Sequence, residues 1–356
     1  MARAALIVIA VIVSGLVARA AFVVPPAAGV FQDPDETGLE GCERVEVAPG
    51  TEDVTIDPAT GLVFVSATER RSLQSEPDNG IPDNGIYVFP LDDPAAVRRV
   101  SVDAPADFRP HGISLWRDEA EGGAPMTRLF VISHPESGHQ VLIYDVAEDG
   151  ALAHVRTVTD PALRSPNDLV AVGPDQFYAT NDVRFGDTWM GFAEAFLGLP
   201  LGSIAYFDGT EGRIAAGGLA YANGIATDET GETLYASALI GRKVHVFARD
   251  RETGAIARTR RIPVPLGLDN IEIAQDGDLL IGGHPDIFAF LGHQNDPEAL
   301  APSQVVHIDP ETGAHETIFY SGGEAISASS VGAVHDGRLV VGAVFDPHVL
   351  VCPLQD

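Results

Sequence analysis

The stretch SPNDLVAVGPDQFYATND, residues 165–182, contains a unit that recurs along the chain. A polar pair is followed by a short apolar run, a turn, a second apolar run and a polar end. Such pairs occur six times, at Glu52-Asp53, His111-Gly112, Asn167-Asp168, Asn223-Gly224, Asp269-Asn270 and Ser329-Ser330. The steps between successive pairs are 59, 56, 56, 46 and 60 residues. Repeats of this length, with β-type runs and turns between them, predict an all-β fold, a six-bladed β-propeller with a central channel.

The length and charge narrow the class of protein. A propeller of six four-stranded sheets uses a length of the order of these 356 residues as one domain. The formal net charge is −29, from 51 acidic and 22 basic residues, and Lys243 is the one lysine. Because such a surface repels polyphosphate, nucleic-acid binding is excluded, whereas capture of cations is favoured. A generally solvated acidic surface accounts for most of these charges.

The N-terminus predicts export. Arg3 precedes an apolar run that is as long as the core of a secretory signal and short for a membrane-spanning helix. Ala18-Arg19-Ala20 fits a signal-peptidase site, but apolar residues resume at 21–24, so a retained anchor is the alternative. Residues 1–24 are therefore interpreted as a signal peptide or signal anchor, residues 25–41 as a linker, and residues 42–356 as the propeller.

The two cysteines, Cys42 and Cys352, stand near the two ends of the predicted propeller. This placement predicts a disulfide that joins the first and last blades and closes the ring; two unrelated buried thiols are the alternative. A disulfide implies an oxidising compartment. We therefore expect a protein that is secreted, periplasmic or tethered to a membrane on its extracytoplasmic side.

Residues 183–202, VRFGDTWMGFAEAFLGLPLG, interrupt the strand pattern. Their aromatic residues recur at helical spacing, which predicts a helix packed on the propeller. A lid beside the pocket or a membrane-facing patch is the alternative, and it makes membrane association through this segment or through the N-terminus an open prediction.

The polar pairs predict a metal site. Equivalent positions of all blades converge at one mouth of a propeller channel, so the separate pairs form one cluster: Glu52, Asp53, His111, Asn167, Asp168, Asn223, Asp269, Asn270, Ser329 and Ser330. Converging carboxylates repel one another unless a cation lies between them. Hard oxygen ligands without thiolates suit Ca²⁺ better than Zn²⁺. Asn, Asp and Gly are also common turn residues, and this alternative explains any single pair but explains matched pairs in all blades less well.

Three histidines accompany the cluster. His111 belongs to a polar pair, while His134 and His284 end the second strands of two other repeats. A histidine beside a metal-bound substrate can take a proton from water at neutral pH, although a lone histidine is more often structural. The chain has no G-x-S-x-G elbow and no glycine-rich phosphate loop that opens a helix, which disfavours these two kinds of site.

At these residues the sequence resembles the serum paraoxonase/arylesterase family of lactonases. The matching motifs run in order over almost the whole chain: TEDVTI at 51–56, PHGIS at 110–114, SHP at 133–135, PNDLVAVGP at 166–174, FYATND at 177–182, ANGI at 222–225, DNIEI at 269–273, GHP at 283–285, and the two cysteines. The resemblance implies a six-bladed propeller that holds two calcium ions and hydrolyses lactones and aryl esters, with phosphotriesters as further substrates. The chain departs from the family at Gly283, where the family often has a cysteine.

The resemblance also implies residue roles. Glu52, Asn167, Asn223, Asp269 and Asn270 match ligands of a catalytic calcium, and Asp53, Asp168 and the backbone carbonyl of Ile113 match ligands of a structural calcium. His111 and His134 match a catalytic dyad, with His111 interpreted as the base. His284, Asp182 and Tyr221 are predicted to line the substrate pocket. The terminal cysteines match a ring-closing disulfide, and the N-terminus looks like a retained signal anchor.

The predicted function is calcium-dependent hydrolysis of lactones and aryl esters by a histidine-activated water. One alternative is a sugar-lactone hydrolase of the related propeller type. Another is a non-catalytic, calcium-stabilised propeller that binds a partner, since the fold alone does not establish function. Two histidines at the metal cluster favour an enzyme, because a scaffold has no need of them.

Overall fold

The computed structural model describes residues 2–29, 34–75, 83–118, 126–186 and 188–354. The N-terminal part contains α1 (Ala2–Ala27) and β1 (Glu43–Glu46). The first blade consists of β2 (Asp53–Ile56), β3 (Leu62–Ala67), β4 (Gly85–Pro90) and β5 (Arg98–Arg99), with α2 (Arg70–Ser75) between β3 and β4. The second consists of β6 (Pro110–Asp118), β7 (Met126–Ser133), β8 (Gln140–Val146) and β9 (Leu152–Val158).

The third blade consists of β10 (Pro166–Gly173), β11 (Gln176–Asn181), β12 (Gly202–Phe207) and β13 (Gly212–Leu219), with α3 (Trp189–Phe196) between β11 and β12. The fourth consists of β14 (Ala222–Thr227), β15 (Thr233–Ala238), β16 (Lys243–Arg249) and β17 (Ile256–Pro263). The fifth consists of β18 (Gly267–Ile273), β19 (Leu279–His284), β20 (Ser303–Ile308) and β21 (His315–Ser321), with α4 (Ile287–Asn295) between β19 and β20. The sixth consists of β22 (Ser329–His335), β23 (Arg338–Ala343) and β24 (His348–Pro353), completed by β1.

The six sheets confirm the predicted propeller. Each is an antiparallel sheet of four strands, and the first strand of every blade contacts the first strands of its two neighbours. The second strands, such as β3 and β19, are buried along their whole length, while outer strands such as β13 and β17 are largely exposed. Buried apolar side chains fill the space between successive blades, so each pair of neighbouring blades shares one apolar core.

The ring closes between the two ends of the chain. β1 pairs antiparallel with β24, so the N-terminal strand completes the last blade. A disulfide joins Cys42, directly before β1, to Cys352 in β24, across a sequence separation of 310 residues. The predicted ring-closing disulfide is confirmed, and the alternative of two unrelated thiols is wrong.

The polar pairs lie within the inner strands, whereas the sequence pattern indicates a place just before those strands. They occupy the first residues of the inner strands rather than the turns before them, and only Glu52 directly precedes its strand. In five blades the register shifts at the pair, as between Pro166 and Leu169 or between Ala222 and Ile225. A bulge leaves residues without ladder partners and re-aims their side chains. The bulges, and not turns, present the pairs to the channel.

The helices differ in part from the prediction. α3 falls inside the predicted segment 183–202, but Trp189 and Phe192 are 79% and 68% exposed, so its aromatic face is not packed on the propeller. α2 and α4 were not predicted. Asp286 caps the N-terminus of α4, because its side chain accepts hydrogen bonds from the backbone N–H groups of Phe288 and Ala289.

The N-terminal helix α1 continues to Ala27, three residues beyond the predicted end of the signal segment. Within the predicted linker, residues 30–33 lie outside the described residues, and Thr37 forms an isolated bridge with Tyr320. A search of the described residues for helices with the length and apolar character of a membrane span finds none.

Candidate active site

The inner strands bring the polar pairs of all blades together in the channel. The Ser330 hydroxyl of the sixth blade donates to the backbone carbonyl of Glu52 in the first, and the Asn270 amide nitrogen lies 3.4 Å from the same carbonyl. The carboxylates of Glu52 and Asp269 also act on each other electrostatically. Residues separated by more than 200 positions in the sequence therefore form one polar cluster.

Three oxygens in this cluster have no partner in the described part of the chain. They are the buried Oδ1 atoms of Asn167, Asn223 and Asp269. A buried acceptor without a hydrogen bond costs about 1–3 kcal/mol. Carboxylate and amide oxygens, here contributed by three different blades, are the ligand types that Ca²⁺ prefers. The residues therefore fit the calcium ion that the sequence predicts at this place.

The second residues of two pairs form cross-links between blades. Asp53 Oδ2 accepts a hydrogen bond of 2.6 Å from the Ile113 backbone N–H, and Asp168 Oδ2 accepts one of 2.8 Å from the Ile225 backbone N–H. Burial raises the pKa of Asp53 to about 8 and raises the pKa of Asp168 well above its ordinary value. Because both carboxylates are buried near each other, a cation between them would be strongly stabilised. The two aspartates thus fit the predicted second calcium.

Glu272 is a third buried carboxylate beside Asp53 and Asp168, and the sequence reasoning missed it. It lines a cavity of about 320 Å³ in the channel together with Asp53 and Asp168, and it lies 3.5 Å from the Thr55 hydroxyl. Burial, followed by the charge of Asp53, raises its pKa to about 8. In the DNIEI motif only Asp269 and Asn270 were predicted to belong to the site. The alternation of side chains along β18 is the signal that would have placed Glu272 in the channel.

The histidines form a chain of hydrogen bonds that begins at Glu52. His111 Nε2 lies 2.7 Å from Glu52 Oε1, and His111 Nδ1 lies 2.7 Å from His134 Nε2. His134 Nδ1 in turn lies 2.8 Å from Nδ1 of His139, which the sequence reasoning missed. His139 follows His134 across the turn at residues 135–138, so two histidines flanking one short turn were the available signal.

The Glu52 carboxylate sets the direction of the first hydrogen bond in the row of histidines. Burial alone would raise the pKa of Glu52, but the Arg70 guanidinium and then His111 lower it to about 2, so Glu52 only accepts hydrogen bonds. In this arrangement His111 donates from Nε2; with one proton on each imidazole, His111 Nδ1 then accepts from His134 Nε2, and His134 Nδ1 accepts from His139 Nδ1. Burial, with the neighbouring His111 and His139, holds the pKa of His134 well below its ordinary value, so His134 is neutral.

Arg70 is a third residue that the sequence reasoning missed. Its guanidinium contacts Glu52 Oε2 and also donates to the backbone carbonyls of Gly50, Thr68 and Val344. These contacts join α2 to the first and sixth blades and hold the Glu52 carboxylate in one orientation. Arg70 therefore determines which Glu52 oxygen faces His111.

The predicted pocket residues have different surroundings. His284 is buried, and its Nε2 lies 2.8 Å from Asp269 Oδ2, so it orients a predicted calcium ligand. Asp182 accepts hydrogen bonds from the Ser165 hydroxyl and from the Val183 backbone N–H. Tyr221 is half-buried in a left-handed backbone conformation with φ of 61°, next to β14. Their contact with a substrate stays a prediction.

Comparison with known proteins finds a match to the family described as Arylesterase over residues 92–354. Serum paraoxonase/arylesterase 1 of Rattus norvegicus is 30% identical over 91% of this chain and 92% of its own length. Serum paraoxonase/arylesterase 2 of Homo sapiens is 28% identical over 90% of both chains.

Solved structures of other propellers share the fold. A gluconolactonase from Xanthomonas campestris superposes with a TM-score of 0.57 at 19% identity, covering 91% of this chain and 96% of its own. The calcium-binding protein regucalcin from Agrobacterium tumefaciens superposes with a TM-score of 0.51 at 13% identity, covering 87% and 93%. At these identities the likeness concerns the fold alone.

Proposed function

Because this chain belongs to the serum paraoxonase/arylesterase family, we propose that it is a calcium-dependent hydrolase of lactones and aryl esters. The observation that carries the proposal is the meeting of two features at Glu52. Three buried oxygens of the inner strands, the Oδ1 atoms of Asn167, Asn223 and Asp269, have no partner among the described residues, and a chain of three histidines ends at Glu52. A metal site next to a proton acceptor is the equipment of a metal-assisted hydrolase.

The proposed metal ligands form two sets. Glu52, Asn167, Asn223, Asp269 and Asn270 would hold a catalytic calcium, and Asp53, Asp168 and the carbonyl of Ile113 would hold a structural one. When bound, the catalytic ion supplies a Lewis acid that polarises the scissile carbonyl and stabilises the oxyanion. The raised pKa values of Asp53 and Asp168 support the second set, since burial without a counter-charge disfavours both carboxylates.

His111 is proposed as the base. To act as the base, His111 has to release its Glu52 contact and carry no proton on Nε2, so that its Nδ1 donates to His134 Nε2 and His134 Nδ1 donates to His139 Nδ1. When His111 Nε2 takes a proton from the attacking water, each imidazole passes one proton to the next, and the half-buried His139 releases one from Nε2 to solvent water. The arrangement with Glu52 as acceptor then corresponds to the chain after proton uptake. This relay spares His111 from holding a positive charge in a buried site.

A sugar-lactone hydrolase is the second candidate, because gluconolactonases share the fold. We favour lipophilic substrates, since α3, in the connection between β11 and β12, exposes aromatic residues that offer an apolar surface. These residues also support association with a lipid surface through α3 and α1. The disulfide supports an extracytoplasmic location, and N-terminal sequencing of mature protein will determine whether α1 is retained.

Hydrolysis assays on purified protein test the proposal. Phenyl acetate, an aliphatic lactone, gluconolactone and the phosphotriester paraoxon are each measured with calcium, with EDTA, and after calcium is restored. We expect ester and lactone turnover that EDTA abolishes and calcium restores, with gluconolactone turned over more slowly. Turnover that survives EDTA would exclude the metal role, and faster turnover of gluconolactone would select the second candidate.

A further inference from the structure

The fourth blade carries a basic cavity outside the channel. It has a volume of about 480 Å³ and lies between α1, the loop after α3, and the outer strands β16 and β17. Its basic side chains are Arg19, Lys243, Arg258 and Arg261, and no aspartate or glutamate is among the described residues that line it. In a chain of net charge −29, this gathering of the one lysine with three arginines is a marked local reversal of charge.

The cations in this cavity lack anionic partners. None of the four forms an ion pair with a carboxylate within the described part of the chain. Arg19 and Arg258 donate instead to backbone carbonyls, those of Leu197 and Gly217, at 2.8 Å and 2.7 Å. Like charges placed together without counter-charge repel, so the cavity is electrostatically prepared for an anion.

Buried donors also face this cavity without partners. His245 is 2% exposed, lines the cavity, and has an Nδ1 atom with no hydrogen bond in the described structure. The Nε of Arg258 is likewise buried and unpartnered. Burial, followed by the charges of Arg258 and Arg261, lowers the pKa of His245 to about 3, so its ring is neutral and can donate one N–H. A bound oxyanion would satisfy both groups.

An apolar surface borders the basic cavity. Phe22 of α1 lines it and is 79% exposed, and Gly198, which also lines it, lies two residues after α3 with its exposed Trp189 and Phe192. A soluble phosphate would use only the charged part of such a site. A ligand with an anionic head and an apolar body matches both parts.

We propose that the cavity of Arg19, Lys243, Arg258 and Arg261 binds the phosphate of an anionic lipid headgroup when the protein lies on a membrane surface. This inference rests on the proposed lipid association of α1 and α3 and adds the class of lipid that is selected. Arginine forks bind phosphate oxygens through paired hydrogen bonds, and each basic residue near an anionic surface adds to the attraction.

Vesicle flotation with the full chain tests the proposal. The vesicles contain either phosphatidylcholine alone or phosphatidylcholine with phosphatidylglycerol. We compare the Arg258→Gln/Arg261→Gln variant with Arg251→Gln/Arg260→Gln, which removes the same charge from exposed arginines of the same blade outside the cavity. We expect the first variant to lose about tenfold or more of its affinity for the anionic vesicles, while the second keeps it.

The outcomes separate this inference from lipid association itself. Binding to neutral vesicles reports the aromatic face of α3, and it is expected to be the same in all variants. Equal losses of affinity for anionic vesicles in the two charge-matched variants would exclude the cavity as the binding site. An unchanged affinity in Arg258→Gln/Arg261→Gln would exclude it too. If that variant does not fold by circular dichroism, Arg261→Gln alone, at an exposed position, replaces it with the same expectation. A melting temperature raised by inorganic phosphate without preference for anionic vesicles would overturn the lipid assignment.

Discussion

His111 uses both ring nitrogens, one towards Glu52 and one towards His134, at 2.7 Å each. Glutamine at this position keeps a hydrogen-bonding side chain but cannot take a proton. We therefore expect His111→Gln to lower kcat for lactones and aryl esters by about 10²-fold or more, the scale of a general base. Steady-state kinetics at saturating calcium measure this, with circular dichroism as the check on folding. An unchanged kcat would remove His111 from the role of base.

His139 separates proton transfer from positioning. Asparagine can still donate a hydrogen bond to His134 Nδ1, but it cannot pass a proton on, whereas alanine does neither. If the relay operates, His139→Asn and His139→Ala both lower kcat by about tenfold, a part of what a general base contributes, and leave KM unchanged. His315→Asn is the control, because His315 is exposed and is not one of the three hydrogen-bonded histidines. Full activity in His139→Asn would show that His139 only orients His134.

Asn167 and Asp168 are neighbours with different partners. Asn167 Oδ1 is unpartnered, while Asp168 binds the backbone N–H groups of Leu169 and Ile225 and so joins two blades. We expect Asn167→Ala to lower activity and calcium affinity with little change in the free energy of unfolding. Asp168→Ala should lower that free energy by about 1–3 kcal/mol or more, since it leaves buried donors unpaired. Calcium titration of activity and urea unfolding distinguish the two, and the same phenotype in both variants would contradict the division of roles.

The residue types that sequence could identify were those that repeat at matched positions. Glu52, Asn167, Asn223 and Asp269 were found because the repeat aligns them. His139, Arg70 and Glu272 have no counterpart in the repeat, and their partners lie on other strands or helices. A contact that depends on the packing of α2 or on a turn leaves no periodic signal, so these three needed the folded chain.

The inner strands interlock through glycines, which is a property of elements and not of single sites. A Cβ on Gly112 would lie 2.7 Å from the Cα of Asp168, and one on Gly224 would lie 2.7 Å from the Cα of Asn270. Both contacts are with the backbone, which cannot swing aside as a side chain can. The polar pairs His111-Gly112 and Asn223-Gly224 therefore contain glycine because the next blade's pair approaches closely.

Alanine at these glycines should disturb the neighbouring blade. We expect Gly112→Ala and Gly224→Ala each to lower the free energy of unfolding by about 1–3 kcal/mol, as overpacked sites do, and to weaken calcium binding. Gly292→Ala in α4 is the matched control, because no atom lies within 4 Å of its added Cβ and helix propensity favours alanine. Calorimetry with and without calcium measures both effects. If Gly112→Ala and Gly224→Ala were as stable as the Gly292→Ala control, the close approach of the inner strands would not be what requires glycine.

At the scale of elements, periodicity predicted the strands and α3 but not the bulges or α4. Alternation of side chains defines a strand, and helical spacing of aromatic residues defined α3, whereas a bulge shifts the register by one residue inside an otherwise regular strand. α4 lies in a repeat whose strand pattern dominates, and its start depends on the capping contact of Asp286. Both features are set by contacts with neighbours and have no pattern of their own.

The whole molecule is a ring of six blades that closes where β1 pairs with β24. The number of repeats predicted the number of blades, and two cysteines near the ends of the propeller predicted the closure. These global features could be predicted because each is a count or a position along the chain. The basic cavity of the fourth blade could not, since Arg19 and Arg261 come from distant parts of the sequence.

Ring closure has a measurable contribution to stability. The Cys42–Cys352 bond spans 310 residues, for which chain entropy alone sets an upper value of about 5–6 kcal/mol, while native disulfides usually contribute about 2–5 kcal/mol. We expect Cys42→Ala/Cys352→Ala to lower the free energy of unfolding within that range, measured by urea denaturation in calcium. The four-residue pairing of β1 with β24 should then fray, because it no longer has a covalent anchor. Dithiothreitol should destabilise the wild type and not the variant; equal effects on both would mean that reduction acts elsewhere than on this bond. Since the proposed calcium ligands lie on or next to the inner strands of other blades, turnover at 25 °C should persist in the variant and fail first on heating.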